Sequence, residues 1–284
     1  MIKTICVCGA GTMGSGIAQV AAMAGYTTFL YDVDAAMVQK AGDGIEKSLV
    51  LLKEKNKISS ADQTAALSRL SYHSGDELAD CRAGLVIEAI VEKPEIKGAL
   101  FMRLAEINGH ETIFASNTSS LSLTALAEKI PYPERFAGLH FFNPAPLMKL
   151  VEVVHTPLTS EKTKETLIAV ARQMGKTPVS CKDAPGFIVN HVARPYYLEA
   201  LRLVEEGLAD FVTIDRIMEA TGFRMGPFRL MDLIGNDINY TVSCSVWEAM
   251  GRPERLKPSS IQEAQVRQGA LGRKTGKGYY RYEQ

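Results

Sequence analysis

Apolar positions follow two rhythms along this chain. Over roughly the first 180 residues, short apolar runs rich in β-branched and aromatic side chains alternate with longer stretches of helical periodicity. Residues 5–8, 26–31, 84–90, 112–115, 136–142, 149–155 and 177–181 read as strands. Residues 15–24, 34–56, 61–70, 94–107 and 160–174 read as helices, with Pro94 placed where a first turn tolerates it. The run at 84–90 is continuously apolar except for one acid, as expected of a strand covered on both faces. At Lys182-Asp183-Ala184-Pro185-Gly186 a polar segment with a Pro-Gly pair interrupts the pattern. Beyond it strand signals nearly vanish, and 187–206, 213–221, 230–234, 236–250 and 261–268 read as helices.

The first strand runs straight into Gly9-Ala10-Gly11-Thr12-Met13-Gly14, followed by a helical stretch. In that context G-x-G-x-x-G reads as a dinucleotide turn. Gly9 makes the bend, Gly11 lets backbone approach a pyrophosphate and Gly14 packs helix against strand. The phosphates would meet the free N–H groups and positive dipole end of the helix. The second strand ends at Asp32, at the interval expected for a carboxylate that accepts ribose hydroxyls. Such a carboxylate repels a 2′-phosphate, and no Arg or Lys follows in Val33-Asp34-Ala35, so NAD is expected over NADP. The competing reading makes Asp32 or Asp34 only the cap of the next helix. The expected fold class is therefore α/β. A Rossmann-type, mostly parallel doubly wound sheet in residues 1–184 precedes a smaller all-helical C-terminal domain in residues 185–284.

Composition narrows the partners. Acidic and basic residues number 32 each, leaving no net charge and no field suited to nucleic acid or a membrane surface. No long apolar run occurs, and the opening residues already belong to strand one, so a cytoplasmic protein is expected. The five cysteines, Cys6, Cys8, Cys81, Cys181 and Cys244, are scattered, and no metal-ligand spacing occurs among Cys and His; reduced, structural thiols and no metal are expected.

Candidate chemistry gathers after the fourth of the predicted strands. Asn117 and Ser119 lie just past a strand's carboxyl end, where open α/β sheets hold ligands. If the strands at 136–142 and 149–155 form a hairpin about Pro144–Pro146, His140 and Glu152 face one another on one side of it. An acid beside an imidazole fixes the ring's tautomer and steadies its cation, the arrangement of a base and its orienter. A satisfied polar pair without catalytic work is the alternative on periodicity alone. His73, His110, His155 and His191 have no comparable partner in the sequence pattern and read as surface or capping residues.

The strings Ala115-Ser116-Asn117-Thr118-Ser119-Ser120-Leu121, Gly138-Leu139-His140-Phe141-Phe142-Asn143-Pro144-Ala145-Pro146, Met148-Lys149-Leu150-Val151-Glu152-Val153 and Pro185-Gly186-Phe187-Ile188-Val189-Asn190 resemble the 3-hydroxyacyl-CoA dehydrogenase family. The resemblance extends from Gly9 to Lys274-Thr275-Gly276-Lys277-Gly278-Tyr279-Tyr280, and the size is similar to that of its bacterial 3-hydroxybutyryl-CoA members. It implies an NAD-dependent oxidoreductase acting on an acyl-CoA, with His140 catalytic and Glu152 its partner. Ser119 and Asn190 would hydrogen-bond around the substrate's 3-oxygen and the histidine. Asp32, Glu92, Lys97, Asn117, Ser119 and Asn143 would contact NAD beside the turn Gly9, Gly11, Thr12, Met13 and Gly14. Ser48 and Lys55 would meet the CoA nucleotide, with Lys53 or Lys57 as substitutes, and a solvated basic helix face is the plainer reading of that stretch. The helical domain would carry a homodimer contact.

One departure concerns Arg229, where the family commonly carries Glu, within Gly222-Phe223-Arg224-Met225-Gly226-Pro227-Phe228-Arg229. A surface replacement or altered subunit contact accounts for it. The sharper alternative has Arg224 or Arg229 receive a terminal carboxylate, as a 3-hydroxyadipyl-CoA dehydrogenase would need. The family includes a lens-crystallin relative, so a non-catalytic NAD-binding structural protein is the reading from another class. The small β-hydroxyacid dehydrogenases would require a catalytic lysine after the cofactor domain, and the sequence offers no such constellation.

Overall fold

Strand β1 (Thr4–Cys8) is fully apolar after its first residue because helices will cover both its faces. In the computed structural model, which describes residues 2–283, it leads into α1 (Thr12–Met23), β2 (Thr27–Asp32), α2 (Ala35–Glu54), α3 (Ser60–Ser68) and β3 (Leu70–Ser74). There follow β4 (Leu85–Glu88), α4 (Pro94–Ile107), β5 (Ile113–Ser116), α5 (Leu123–Ala127), β6 (Phe136–Phe141), β7 (Leu150–His155), α6 (Glu161–Gln173) and β8 (Thr177–Lys182). The sheet order is β3-β2-β1-β4-β5-β6-β7-β8, parallel throughout except where β7 runs back along β6. The chain builds outward from β1 to β3, then returns to the other side of β1 with β4. That reversal opens a crevice at the strands' carboxyl ends.

One face of the sheet packs Ile5, Val7, Leu30, Ile87 and Val151 against the buried sides of α1, α2 and α6. On the other face Phe101 of α4 meets Phe114 and Phe136 edge-on at 6.0 and 5.3 Å. Helix starts are fixed by side chains that accept orphan amide hydrogens: Asp34 for α2, Ser59 for α3, Ser122 for α5 and Ser160 for α6.

Two elements escaped the sequence pattern. Leu70 opens β3 rather than closing the preceding helix; this edge strand pairs only with β2, and its side chains are mostly half-buried, so no apolar run announces it. Helix α5 spans five residues, too short to show a period.

The chain divides at Asp183/Ala184 into two units. The second holds α7 (Val189–Glu205), α8 (Phe211–Ala220), α9 (Pro227–Ile234), α10 (Asn236–Ala249) and α11 (Ser260–Arg267) around Tyr197, Leu201, Ile214, Phe228 and Met231. Helix α9 begins at Pro227, earlier than periodicity suggested, because proline fits the first helical position and Asp215 accepts the amides of Phe228 and Arg229 at 2.9 and 3.0 Å.

Candidate active site

Parallel register aligns the strand ends. Cys8 pairs with Glu88, Glu88 with Ser116 and Ser116 with Gly138. Consequently the glycine turn after β1, Asp32 at the end of β2, Glu88 at the end of β4, the loop after β5 and His140 in β6 share the carboxyl edge of the sheet.

At the glycine turn a methyl group on Gly14 would stand 1.7 Å from the carbonyl oxygen of Gly9, so only glycine permits this approach of helix and strand. The first intrahelical bond runs from Ser15 N to Gly11 O, and no side chain caps α1, which leaves the amides of Thr12, Met13 and Gly14 pointing outward from the helix. Open space lies where a side chain on Gly11 would project. This is a cradle for a pyrophosphate. Asp32 accepts from Ala10 N at 2.7 Å and Asp34 N at 3.1 Å, while Asp34 is the residue that caps α2. The two acids thus divide the two roles, and Asp32 keeps lone pairs for ribose hydroxyls. Asp32→Ser is expected to lower kcat/KM for NAD by ~10–100-fold, the worth of hydrogen bonds to a charged group, without an equal loss for NADP. Parallel initial-rate measurements with both cofactors check this.

Behind the turn lies a buried ionic cluster that sequence pattern revealed only as a lone acid in an apolar strand. Glu88 is fully buried and accepts from Lys97 Nζ at 2.5 Å, Ser116 Oγ at 2.6 Å and Ile90 N at 2.7 Å. Burial pushes its carboxyl above the ordinary value, against the pull of Lys97. Lys97 Nζ also lies 3.0 Å from Glu92. Glu92 resists a desolvation that would raise its carboxyl; Lys97 and the Thr118 hydroxyl outweigh it and hold the group below its ordinary value. Glu92 accepts in turn from the Thr118 hydroxyl and from Ser119 N at 3.1 Å. Lys97 is 1 % exposed, so it offers a ligand almost no surface of its own and acts on the site by holding Glu92. Glu92 in turn holds the loop that presents Ser119. Asn117 Oδ1 accepts from Phe141 N at 2.8 Å, tying that loop to the end of β6.

His140 and Glu152 stand opposite each other in the β6–β7 pair. His140 Nδ1 is 2.8 Å from Glu152 Oε2, and both residues are buried. With Glu152 ionised and accepting, a neutral ring carries its proton on Nδ1, which leaves Nε2 as the basic nitrogen. The ring also packs against Phe142 at 4.5 Å. Asn143 follows, exposed, at a cis peptide bond to Pro144.

Other expected residues lie elsewhere. Ser48 and Lys55 are ~20 and ~30 Å along α2 from Ala35 at 1.5 Å per residue, so the fold does not gather them at the sheet edge; Ser48 is half-buried and Lys55 exposed. In the second unit Asn190 occupies the first turn of α7. Gly186, at φ +73°, seats that turn: its carbonyl accepts from His191 N at 3.1 Å, and a side chain there would strike Val246 and the His191 amide. Arg224 is exposed. Arg229 lies 3.8 Å from both Asp215 and Glu219 and over the Tyr280 ring. Its charge is matched by carboxylates of its own unit, which disfavours it as the receiver of a substrate carboxylate.

Comparison with known proteins identifies the family. Residues 4–184 match the model of the 3-hydroxyacyl-CoA dehydrogenase NAD binding domain, and residues 186–282 match that of the 3-hydroxyacyl-CoA dehydrogenase C-terminal domain. The chain is 47% identical over 280 residues to the 3-hydroxyadipyl-CoA dehydrogenase of Escherichia coli, covering 98% of this chain and 59% of that relative. It therefore spans about three fifths of that protein's length. It is 44% identical over 289 residues to the mitochondrial hydroxyacyl-coenzyme A dehydrogenase of Sus scrofa, covering 100% of this chain and 92% of that one. A crystal structure of 3-hydroxybutyryl-CoA dehydrogenase from Escherichia coli superposes with a TM-score of 0.95 at 46% identity, over 99% of this chain and 60% of that one.

Proposed function

Because the chain belongs to the 3-hydroxyacyl-CoA dehydrogenase family, with both family domains matched in order, we propose that it interconverts (S)-3-hydroxyacyl-CoA and 3-ketoacyl-CoA with NAD. The pair 3-hydroxybutyryl-CoA and acetoacetyl-CoA is the expected core substrate. The observation that carries this reading is the buried His140–Glu152 pair at the carboxyl edge of a dinucleotide-type sheet. Held at the glycine turn and Asp32, NAD would supply the acceptor for the hydride that leaves C3. His140 Nε2 accepts the 3-hydroxyl proton as the C3–H bond breaks, so the C–O bond becomes a carbonyl. Glu152 stabilises the imidazolium that results. The roles carried over from the family resemblance have Ser119 and Asn190 hydrogen-bond to the 3-oxygen. The reverse reaction returns the same proton from the imidazolium to the ketone oxygen.

Consumption of NADH with acetoacetyl-CoA tests this directly. Turnover within the ordinary enzyme range of ~1–10³ s⁻¹ is expected; tight NADH binding with no consumption would favour a non-catalytic binding protein. A dicarboxylate substrate is the second reading, favoured by the name of the Escherichia coli relative that shares 47% identity. Specificity constants for 3-hydroxybutyryl-CoA and 3-hydroxyadipyl-CoA distinguish the two, and a strong four-carbon preference would end the dicarboxylate reading.

The same reading includes a homodimer formed through the second unit, where Val192, Leu208, Ile217 and Phe223 are more than half exposed. Light scattering on the purified protein measures it. It also includes a cytoplasmic location: all five cysteines are free thiols, as in a reducing compartment, and among the described residues no helix is long and apolar enough to cross a membrane.

A further inference from the structure

Lys176 is 8 % exposed and has no ion-pair partner among the described residues. Burying an ammonium without an acid is ordinarily costly, and burial, with Lys149 beside it, pushes this one below its ordinary value. What holds it is backbone. Nζ donates to Ala145 O at 2.5 Å and to Met148 O at 2.9 Å. The turn after α6 places it there: Gly175 adopts φ +70°, and Lys176 N donates to Ala171 O at 3.0 Å. Both carbonyls belong to the connection between β6 and β7, residues 142–149, whose flanking strands carry His140 and Glu152. Within it the amides of Leu147 and Met148 both donate to Pro144 O at 3.0 Å. The same connection packs on α1: a side chain on Gly16 would come within 3.2 Å of Ala145 and 3.1 Å of Pro146. It is thus fastened both by the ammonium and by the helix that opens at the pyrophosphate cradle.

The two anchors differ in what depends on them. Helix α1 is fixed independently, by the close approach of Gly14 to Gly9 and by its buried apolar side, so the cradle does not need Lys176. The connection does. It begins two residues after His140 and carries Asn143, on the β4–β6 side of the sheet. A dinucleotide laid across the strand-order reversal puts its adenosine diphosphate on the β1–β3 half, with the glycine turn and Asp32, and its nicotinamide on the other. We propose that Lys176 is a positioning residue that acts through the β6–β7 connection, setting Asn143 against the nicotinamide half of NAD. The inference rests on the proposed function, which brings the nicotinamide to His140, and on Asn143 as a contact of that cofactor. Two charge-assisted bonds to carbonyls three positions apart fix the turn between them more firmly than a neutral donor would.

ADP-ribose, which lacks the nicotinamide, supplies the comparison. Lys176→Met fills similar space without a donor. Calorimetric titration is expected to show it binding NADH ~10-fold more weakly than the unaltered protein, the worth of a hydrogen bond to a charged group, and ADP-ribose as before. Lys176→Arg keeps a charged donor, so its preference for NADH over ADP-ribose is expected to exceed that of Lys176→Met. A residue serving only the stability of the fold would move both ligands together. Equal weakening of the two, or none, overturns the proposal, and so does a preference in Lys176→Arg no greater than in Lys176→Met. Should Lys176→Met not fold, hydrogen exchange on the unaltered protein decides: NADH is expected to protect residues 143–149 more than ADP-ribose does, and equal protection overturns the proposal. Binding of both ligands without these differences sinks this inference alone. Failure of the unaltered protein to bind NADH sinks the proposed function with it.

Discussion

His140→Gln is expected to lower kcat by ~10²–10⁴-fold, the usual worth of a positioned general base, with NADH binding little changed. The argument is geometric. His140 takes no part in the glycine turn or in the Asp32 contacts, which belong to other strands of the sheet. Glutamine can still donate to Glu152, 2.8 Å from the imidazole nitrogen it replaces, so the buried acid keeps a partner and the fold should persist. What glutamine lacks is a nitrogen able to take and return a proton. Glu152→Gln probes the other half of the pair. An amide opposite Nδ1 no longer demands a proton there and cannot balance the imidazolium, so kcat should fall as well. Stopped-flow turnover and fluorescence titration of NADH on the same preparations separate chemistry from binding. Full turnover in His140→Gln would remove the assignment; unchanged activity across pH in Glu152→Gln would remove the orienting role.

How much of this was legible in the sequence depends on how each contact is encoded. The His140–Glu152 pairing follows from the alternation of two strands joined by a short connection, so register could be read without coordinates, and the two residues are partners in the sheet. Asp32 was legible because the spacing of a βαβ unit is nearly fixed. The Glu88–Lys97–Glu92 cluster was not. It depends on how α4 packs its first turn beneath the end of β4, and a lysine on a predicted helix ordinarily means solvent. Lys97 is instead 1 % exposed. Lys176 was hidden in the same way, since no local pattern reveals that its ammonium meets the β6–β7 connection. Edge strand β3 and helix α5 were missed because one is polar and the other a single short turn. Pairings between neighbours in the chain are written locally, whereas those made by packing a helix on a sheet are not.

Lys97→Met is expected to destabilise the protein by about 3–5 kcal/mol, the cost of removing one member of a buried ion pair, and to lower Tm by about 10 °C for a unit of this size. Glu88 is fully buried and would be left with only the Ser116 hydroxyl and the Ile90 amide for its charge. Burial already raises the Glu88 carboxyl, and Lys97 is the chief force opposing that rise. Removing the lysine lets the carboxyl climb further. A carboxyl whose pKa is higher folded than unfolded binds its proton more strongly in the native state. Its favourable contribution is therefore complete below the unfolded value of about 4.3 and is lost as pH rises through the folded one. Lys97→Met should accordingly recover stability relative to the unaltered protein as pH falls from 8 toward 5.5. Adding Glu88→Gln should restore most of the loss at pH 8 and abolish this recovery, because no buried charge remains to be neutralised. Urea unfolding of the three proteins at both pH values reads these differences as shifts in midpoint. A Lys97→Met protein as stable as its parent at pH 8 would show that the cluster can spare its cation. In that case Glu92, and with it the loop bearing Ser119, is held in place by something other than this ion pair.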